Sequence, residues 1–167
     1  MSYELLGTIT TSGQSVAEFA GIPQDGKDLL VKISARNETY NGFLTFRPNN
    51  NTGSVYYGKR VTANGSTVAV QTWSATDSFY PVIGRIDGTG TNGDVFSNNE
   101  IYISDYATSA PSPISMQNVF PGYNTTFSII EVHALEFRSN SPITSLHISN
   151  FGGNFTNGSV LTLYKIL

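Results

Sequence analysis

The side chains able to do acid–base or metal chemistry in this 167-residue chain are few and scattered. His133 and His147 are the only histidines, and there is no cysteine. Two histidines on strands would suit a paired metal site or a proton relay. No acidic cluster stands at ligand spacing from either, so the expectation for both is structural. Residues 87–94, Asp-Gly-Thr-Gly-Thr-Asn-Gly-Asp, offer oxygen ligands for calcium, from Asp87 to Asp94. They match neither the EF-hand spacing nor the calcium-binding nonapeptide repeat, and a loop is expected there. Glu131 and Glu136, with Glu100 as a third candidate, would serve glycoside hydrolysis only if two carboxylates stood about 5 to 9 Å apart in a cleft. Solvated charges on strands are the expectation. No Gly-x-Ser-x-Gly nucleophile elbow occurs. The chain therefore reads as a non-enzyme with no cofactor and no metal. The candidates with more promise are aromatic: Tyr56, Tyr57, Trp73, Tyr102, Tyr106 and Tyr123. Aromatics on loops or outward faces serve protein interfaces and sugar-binding patches alike, and some of these six are expected to be packing residues instead.

Composition narrows the partners. Only 13% of residues are charged and the net charge is −3, so the polar surface is one of Ser, Thr, Asn and Gly that hydrogen-bonds more than it attracts ions. No lysine or arginine cluster offsets the acidic balance, which excludes nucleic acid and an anionic membrane surface as expected partners. Without cysteines, stability must come from burial. The start, Met1-Ser2-Tyr3-Glu4-Leu5-Leu6-Gly7-Thr8, lacks the basic residues and apolar run of a secretion signal, and no 18-residue apolar stretch follows. Synthesis in a cytoplasm, as a single domain over residues 1–167, is the expectation.

Positioning falls to strands, because no dozen-residue window shows helical spacing while period-two runs recur between turn residues. Strands are expected over residues 3–11, 29–36, 43–47, 67–73, 79–86, 100–106, 127–137, 143–149 and 160–167. Tyr56 and Tyr57 would resume a strand briefly. Leu29, Val31, Ile33 and Ala35 share one face and predict core, as do Ile101 and Ile103. Residues 107–113, with two prolines, read as a surface connection. In residues 127–137 the apolar set switches parity, from Ile130, Val132 and Ala134 to Leu135 and Phe137, which predicts a bulge or a crossing between sheets. Asn157-Gly158 feeds a closing strand expected to lie inside a sheet. The fold class is all-β, an antiparallel β-sandwich, with the double-sheet jelly roll as one arrangement.

Several segments, in order, resemble the small jelly-roll domains of bacteriophage virion proteins. They are Phe19-x-x-Ile22-Pro23 with Asp28-Leu29; Ser34-x-Arg36; Leu44-x-Phe46-Arg47-x-Asn49-Asn50-Asn51-Thr52-Gly53-Ser54-x-Tyr56; Ile83-Gly84-x-Ile86; Phe96-Ser97; and Ile101-x-Ile103-x-Asp105-Tyr106-Ala107. The closing Gly153-Asn154-Phe155-x-x-Gly158-Ser159-x-x-x-Leu163-Tyr164-x-Ile166 is the most specific. The departures are Lys165, where a small residue is usual, and Gly26-Lys27 in the first turn. The resemblance implies a capsid decoration (cement) protein, a head fibre or a tail-fibre tip. A decoration protein, a virion component binding the major capsid protein and copies of itself as a homotrimer, is the expectation, because the jelly roll is expected to be the whole chain from Met1, where a fibre tip would normally follow a shaft or attachment segment. The alternative is a fibre tip recognising host surface glycans through loop tyrosines.

Overall fold

In the computed structural model, which describes residues 2–39, 42–74, 82–89, 95–122 and 128–167, the chain is all-β, with no α-helix among the described residues. Twelve strands follow one another: β1 (Tyr3–Thr10), β2 (Val16–Ala20), β3 (Asp28–Asn37), β4 (Gly42–Pro48), β5 (Tyr56–Asn64), β6 (Thr67–Trp73), β7 (Val82–Gly88), β8 (Ser97–Ile103), β9 (Ser112–Phe120), β10 (Ile129–Phe137), β11 (Ser145–Phe151) and β12 (Val160–Ile166). They form an open mixed sheet, antiparallel except where β3 and β7 meet at Arg36–Asp87 and Asn37–Gly88. On one side of that junction lie β1-β12-β3-β8-β9-β10-β5-β6; on the other, β2-β11-β4-β7.

The pairing is nested. β1 pairs with β12, β2 with β11, β3 with β8, β4 with β7 and β5 with β6. The innermost link is the Asn64-Gly65-Ser66 turn, where Gly65 takes φ +56°, a left-handed conformation that glycine adopts without a Cβ penalty. One core serves both sections. Phe19, Leu44, Phe46, Ile83, Ile86, Leu146 and Ile148 of the four-strand section share it with Leu29, Val31, Ile101, Ile103, Met116, Phe137, Leu161 and Leu163 of the other. The predicted faces of residues 29–36 and 101–103 are as read from their alternation, and β12 lies between β1 and β3 as its sequence requires.

Three local readings are corrected. First, β9 runs through a stretch where no strand is expected and includes Pro113 from the predicted surface connection. Its inward positions are Ser112, Ile114, Met116, Asn118 and Phe120, so two polar side chains interrupt the apolar period. Second, β5 is nine residues long, its alternation obscured by Gly58, Lys59 and Arg60. Third, β10 carries no bulge, since it stays in register for all nine residues with both β5 and β9. The apparent parity switch arises because Ile130 and Val132 point outward while Glu131 and His133 point in. Of the strand expected at residues 79–86, residues 79–81 lie outside the described residues.

The two departures from the resembled pattern touch each other. Lys165 is buried at 3% exposure, with Nζ 2.8 Å from Asp25 Oδ1 and 3.0 Å from Glu4 Oε2. Its stem passes over Gly26, where a Cβ would lie 2.6 Å from Lys165 Cδ and 2.9 Å from Tyr106 Oη. A glycine in the first turn makes room for a lysine on the closing strand.

Candidate functional site

The continuous pairing of β9, β10, β5 and β6 fixes which side chains share each face of this end of the sheet. On the outer face Ile130 stands beside Val119 and Ala63, and Ala63 beside Val68; in the next row Val132 stands beside Val61, and Val61 beside Val70. These side chains are open to solvent: Val68 68%, Val70 64%, Ile130 54%, Val132 52%, Val119 48% and Val61 43%. A patch of adjacent β-branched side chains this exposed marks an interaction surface, whereas single exposed apolar residues need no explanation. Toward β8, β3 and β12 the same face turns polar. There a shallow concavity of about 370 Å³ includes Lys32, Asn98, Glu100, Gln117 and Thr162, with Lys32 Nζ 3.7 Å from Glu100 Oε2. Beside it a second depression, of about 400 Å³, is bordered by Tyr3, Leu30 and Tyr164.

Beneath the apolar patch, the inner face is charged. Glu131 is fully buried. Its Oε1 accepts a hydrogen bond from Thr62 Oγ1 at 3.1 Å and lies 3.2 Å from the Arg60 guanidinium and 3.8 Å from Arg85 Nε. Arg60 also donates to Gln71 Oε1 on β6. His133, 1% exposed, stacks on Trp73 with ring centroids 5.8 Å apart and planes 9° apart, and Arg60 lies 5.6 Å from the centre of the Trp73 ring. Burial, reinforced by Arg60, holds the His133 imidazole down at about 4, so the ring is neutral near pH 7. Burial also pulls Arg60 down, against the opposing charge of Glu131. Two guanidiniums thus share one carboxylate. Such a cluster adds little net stability over an apolar replacement, but it is costly to break because each lone member is a buried charge.

These placements correct the expectations for the titratable residues. Glu131 is not a solvated strand charge. It also cannot pair with Glu136: five residues apart on one strand, the two point to opposite faces. Glu136 instead holds Arg138 at 2.6 Å on the surface. His147 is on β11, in the other section, in register with Glu18 and Arg47; burial and then Arg47 lower its pKa, with Glu18 opposing. Among the described residues no group of three or more His, Asp or Glu side chains could hold a metal ion. Asp87 accepts from the Gly88 amide at the end of β7, while Asp94 lies outside the described residues.

The six aromatics do not form one surface. Tyr56 and Tyr106 are buried, at 6% and 0% exposure. Tyr56 packs on Phe137 and donates to Asn51 O at 2.8 Å, and Tyr106 donates to Pro23 O. Burial raises the pKa of both. Trp73 belongs to the charged cluster. Tyr57 is half-buried, with the Arg138 guanidinium 3.8 Å from its ring centre. Tyr102 is on the outer face and donates to Asp28 Oδ2 at 2.5 Å, a bond that pushes its own pKa up to about 12. Tyr123 lies outside the described residues.

No protein-family model matches this sequence, and no curated protein matches it at a significant level. Among the described residues no helix is long and apolar enough to cross a membrane. The outward valines and isoleucine escaped the sequence reading because β9 and β5 were not legible as long strands. The available signal was Arg60-Val61-Thr62-Ala63 set against Glu131-Val132-His133, two runs in which every second residue is polar.

Proposed function

We propose that this chain is a structural protein of a bacteriophage particle, a capsid decoration protein that binds the head shell as a homo-oligomer. The fold reading behind it is a jelly roll. Nested pairing is what a single long hairpin gives when rolled up, and β2-β11-β4-β7 against β3-β10-β5-β6 is jelly-roll order once β8 and β9 count as an inserted hairpin between β3 and β10. The motifs that resemble phage virion domains fall on β2, β3, β4, β7, β8 and β12 and the turns beside them.

The observation that carries the functional reading is the uncovered apolar face of β9, β10, β5 and β6. A protein whose role is to stay attached to other proteins needs a surface whose burial is favourable, at roughly 25 cal/mol per Å² of apolar area removed from water. Binding only the closed shell would then oppose its opening by mass action. With few charges involved, attachment should be only mildly sensitive to salt.

A second reading, a fibre tip recognising glycans, is favoured by the depression beside Tyr3 and Tyr164, next to Tyr102. Tyrosine rings around a shallow polar hollow suit sugar stacking. A cryo-EM map of the virus particle separates the two. Density for this chain on the capsid, at three-fold or quasi-three-fold positions, is the expected result. Density confined to the tail or fibre tips overturns it, and loss of glycan binding on Tyr102→Ala and Tyr164→Ala substitution would then support the second reading.

A further inference from the structure

The last strand of the eight-strand path is exposed on both faces. Every residue of β6 except Trp73 is open to solvent, and among the described residues its only pairing is with β5. A free strand edge presents unpaired amide and carbonyl groups to any other chain, and proteins blunt such edges with charges, bulges or short length. The other free edges of this fold are blunted. β1 carries Glu4 and breaks register between Leu5 and Gly7; β2 has five residues with Glu18 at its centre; β7 carries Arg85 and Asp87 and closes on β3 at its end. β6, Thr67-Val68-Ala69-Val70-Gln71-Thr72-Trp73, has no charge and no proline, and it keeps unbroken register with β5 over seven residues. Its composition favours extended pairing.

Apolar side chains flank that edge on the outer face. Val68 and Val70, 68% and 64% exposed, belong to β6 itself, and because strands pair about 4.8 Å apart in the plane of a sheet, a strand added there meets this rim of the apolar patch and leaves Val61, Val119, Ile130 and Val132 open on the widened face.

We propose that β6 forms an interface between two copies of the chain, with β6 of each running antiparallel to β6 of the other and the apolar face beside it left open. A second copy is the occupant that fits, because the strand is self-complementary. With a two-fold axis at Val70, each Val70 faces its own counterpart and each Val68 faces a Thr72, so no charge opposes a like charge and the apolar rows of both copies join across the seam. The contact is isologous and closes at two. It names a surface for the self-association in the decoration reading, but with two copies as the unit where the resemblance implies three.

The test is the mass of the purified full chain, by sedimentation velocity and light scattering across a dilution series. The comparison is with Val70→Lys and Val68→Lys, both on β6 itself. Both sites are solvent-exposed, so the variants should keep the wild-type circular dichroism; the second keeps the test decisive if the first folds poorly. Expected is a dimer for the wild type, with association weakened at least about tenfold in both variants, and slow amide exchange along β6 that the variants lose. A monomer at every concentration, a trimer, or association unchanged by both substitutions overturns the proposal. Location on the virus particle is read separately, so a failure here does not decide the particle reading.

Discussion

Acid should destabilise this protein through His133. The ring is buried against Trp73 and Arg60, neither nitrogen has a hydrogen-bond partner among the described residues, and its pKa in the fold is about 4 against an ordinary 6.5. The other charged members of its cluster are Glu131 on its own strand, with Oε2 3.9 Å from the ring, and Arg85 from β7. The folded protein keeps the ring neutral, whereas the unfolded chain binds a proton below about pH 6.5. Unfolding therefore takes up a proton, and the contribution to stability is complete above pH 6.5 and lost as the pH falls toward 4. At 1.36 kcal/mol per unit, the gap of about 2.5 units gives a loss of roughly 3 kcal/mol at pH 4 and about 2 kcal/mol at pH 5. Phenylalanine in place of His133 fills nearly the same shape, keeps the stack on Trp73 and sacrifices no hydrogen bond. Urea unfolding of the wild type and His133→Phe between pH 8 and 5 should give stabilities within about 1 kcal/mol of each other at the upper end. At pH 5 the variant should lead by about 2 kcal/mol more than at pH 8. His147 titrates in the same direction but is present in both proteins, so it cancels. Parallel pH profiles for the two proteins would refute the reasoning, as would a wild type that gains stability relative to the variant on acidification.

Removing the carboxylate at the centre of the same cluster, Glu131→Ala, leaves Arg60 and Arg85 without their shared counter-charge and should cost about 3–5 kcal/mol in denaturant unfolding at neutral pH; a loss under about 1 kcal/mol would mean the guanidiniums are solvated. Gly26→Ala drives a Cβ into the Lys165 stem and should cost about 1–3 kcal/mol, and clearly less in a Lys165→Ala background; equal costs in both backgrounds would show that the two sites are not coupled. Tyr102 should ionise near 12 in an ultraviolet titration and move back toward the ordinary tyrosine range in Asp28→Asn, whose amide cannot accept as a carboxylate does; no shift on substitution would discount the Tyr102–Asp28 bond.

The stretches that could be read from the sequence are those whose core-facing positions are apolar. Leu29, Val31, Ile33 and Ala35 on β3 and Ile101 and Ile103 on β8 alternate cleanly into the core, whereas the start of β8 buries Ser97 and Asn99 and does not show in the period; Asn157-Gly158 marks the entry to β12. The strands that could not be read put polar residues inside. Asn118 on β9 is fully buried because its side-chain amide donates to Asn99 Oδ1 at 2.7 Å and to Arg85 O at 3.0 Å, joining the two sections at Gly84, where a Cβ would lie 2.7 Å from Asn118 Nδ2. A hydrogen-bonded asparagine breaks a hydrophobic period without breaking the strand, so periodicity alone passes over it. Glu131 and His133 hide β10's facing in the same way, and Arg60 hides β5. The candidate aromatics share only their residue type, and type does not tell an outward Tyr102 from a buried Tyr106.

β10 gathers these points into one argument. Its sequence alternates as a half-buried strand should, yet the middle of it is seated with the charged set inward and the apolar set outward. A slip of one residue would reverse that, but it would also expel Ile129, Leu135 and Phe137 from the core and break register with two neighbours over nine residues, so the fold holds the inverted seating. The inversion is tolerable inside because Arg60, Arg85 and Thr62 converge on Glu131. It is not satisfied outside, where Ile130 and Val132 sit among valines in water. Four adjacent strands that line up β-branched residues on their outer face, over a centre where β5 and β10 turn Arg60 and Glu131 inward, have the pattern of a surface meant to be covered, and the unprotected edge of β6 lies at the border of that same surface.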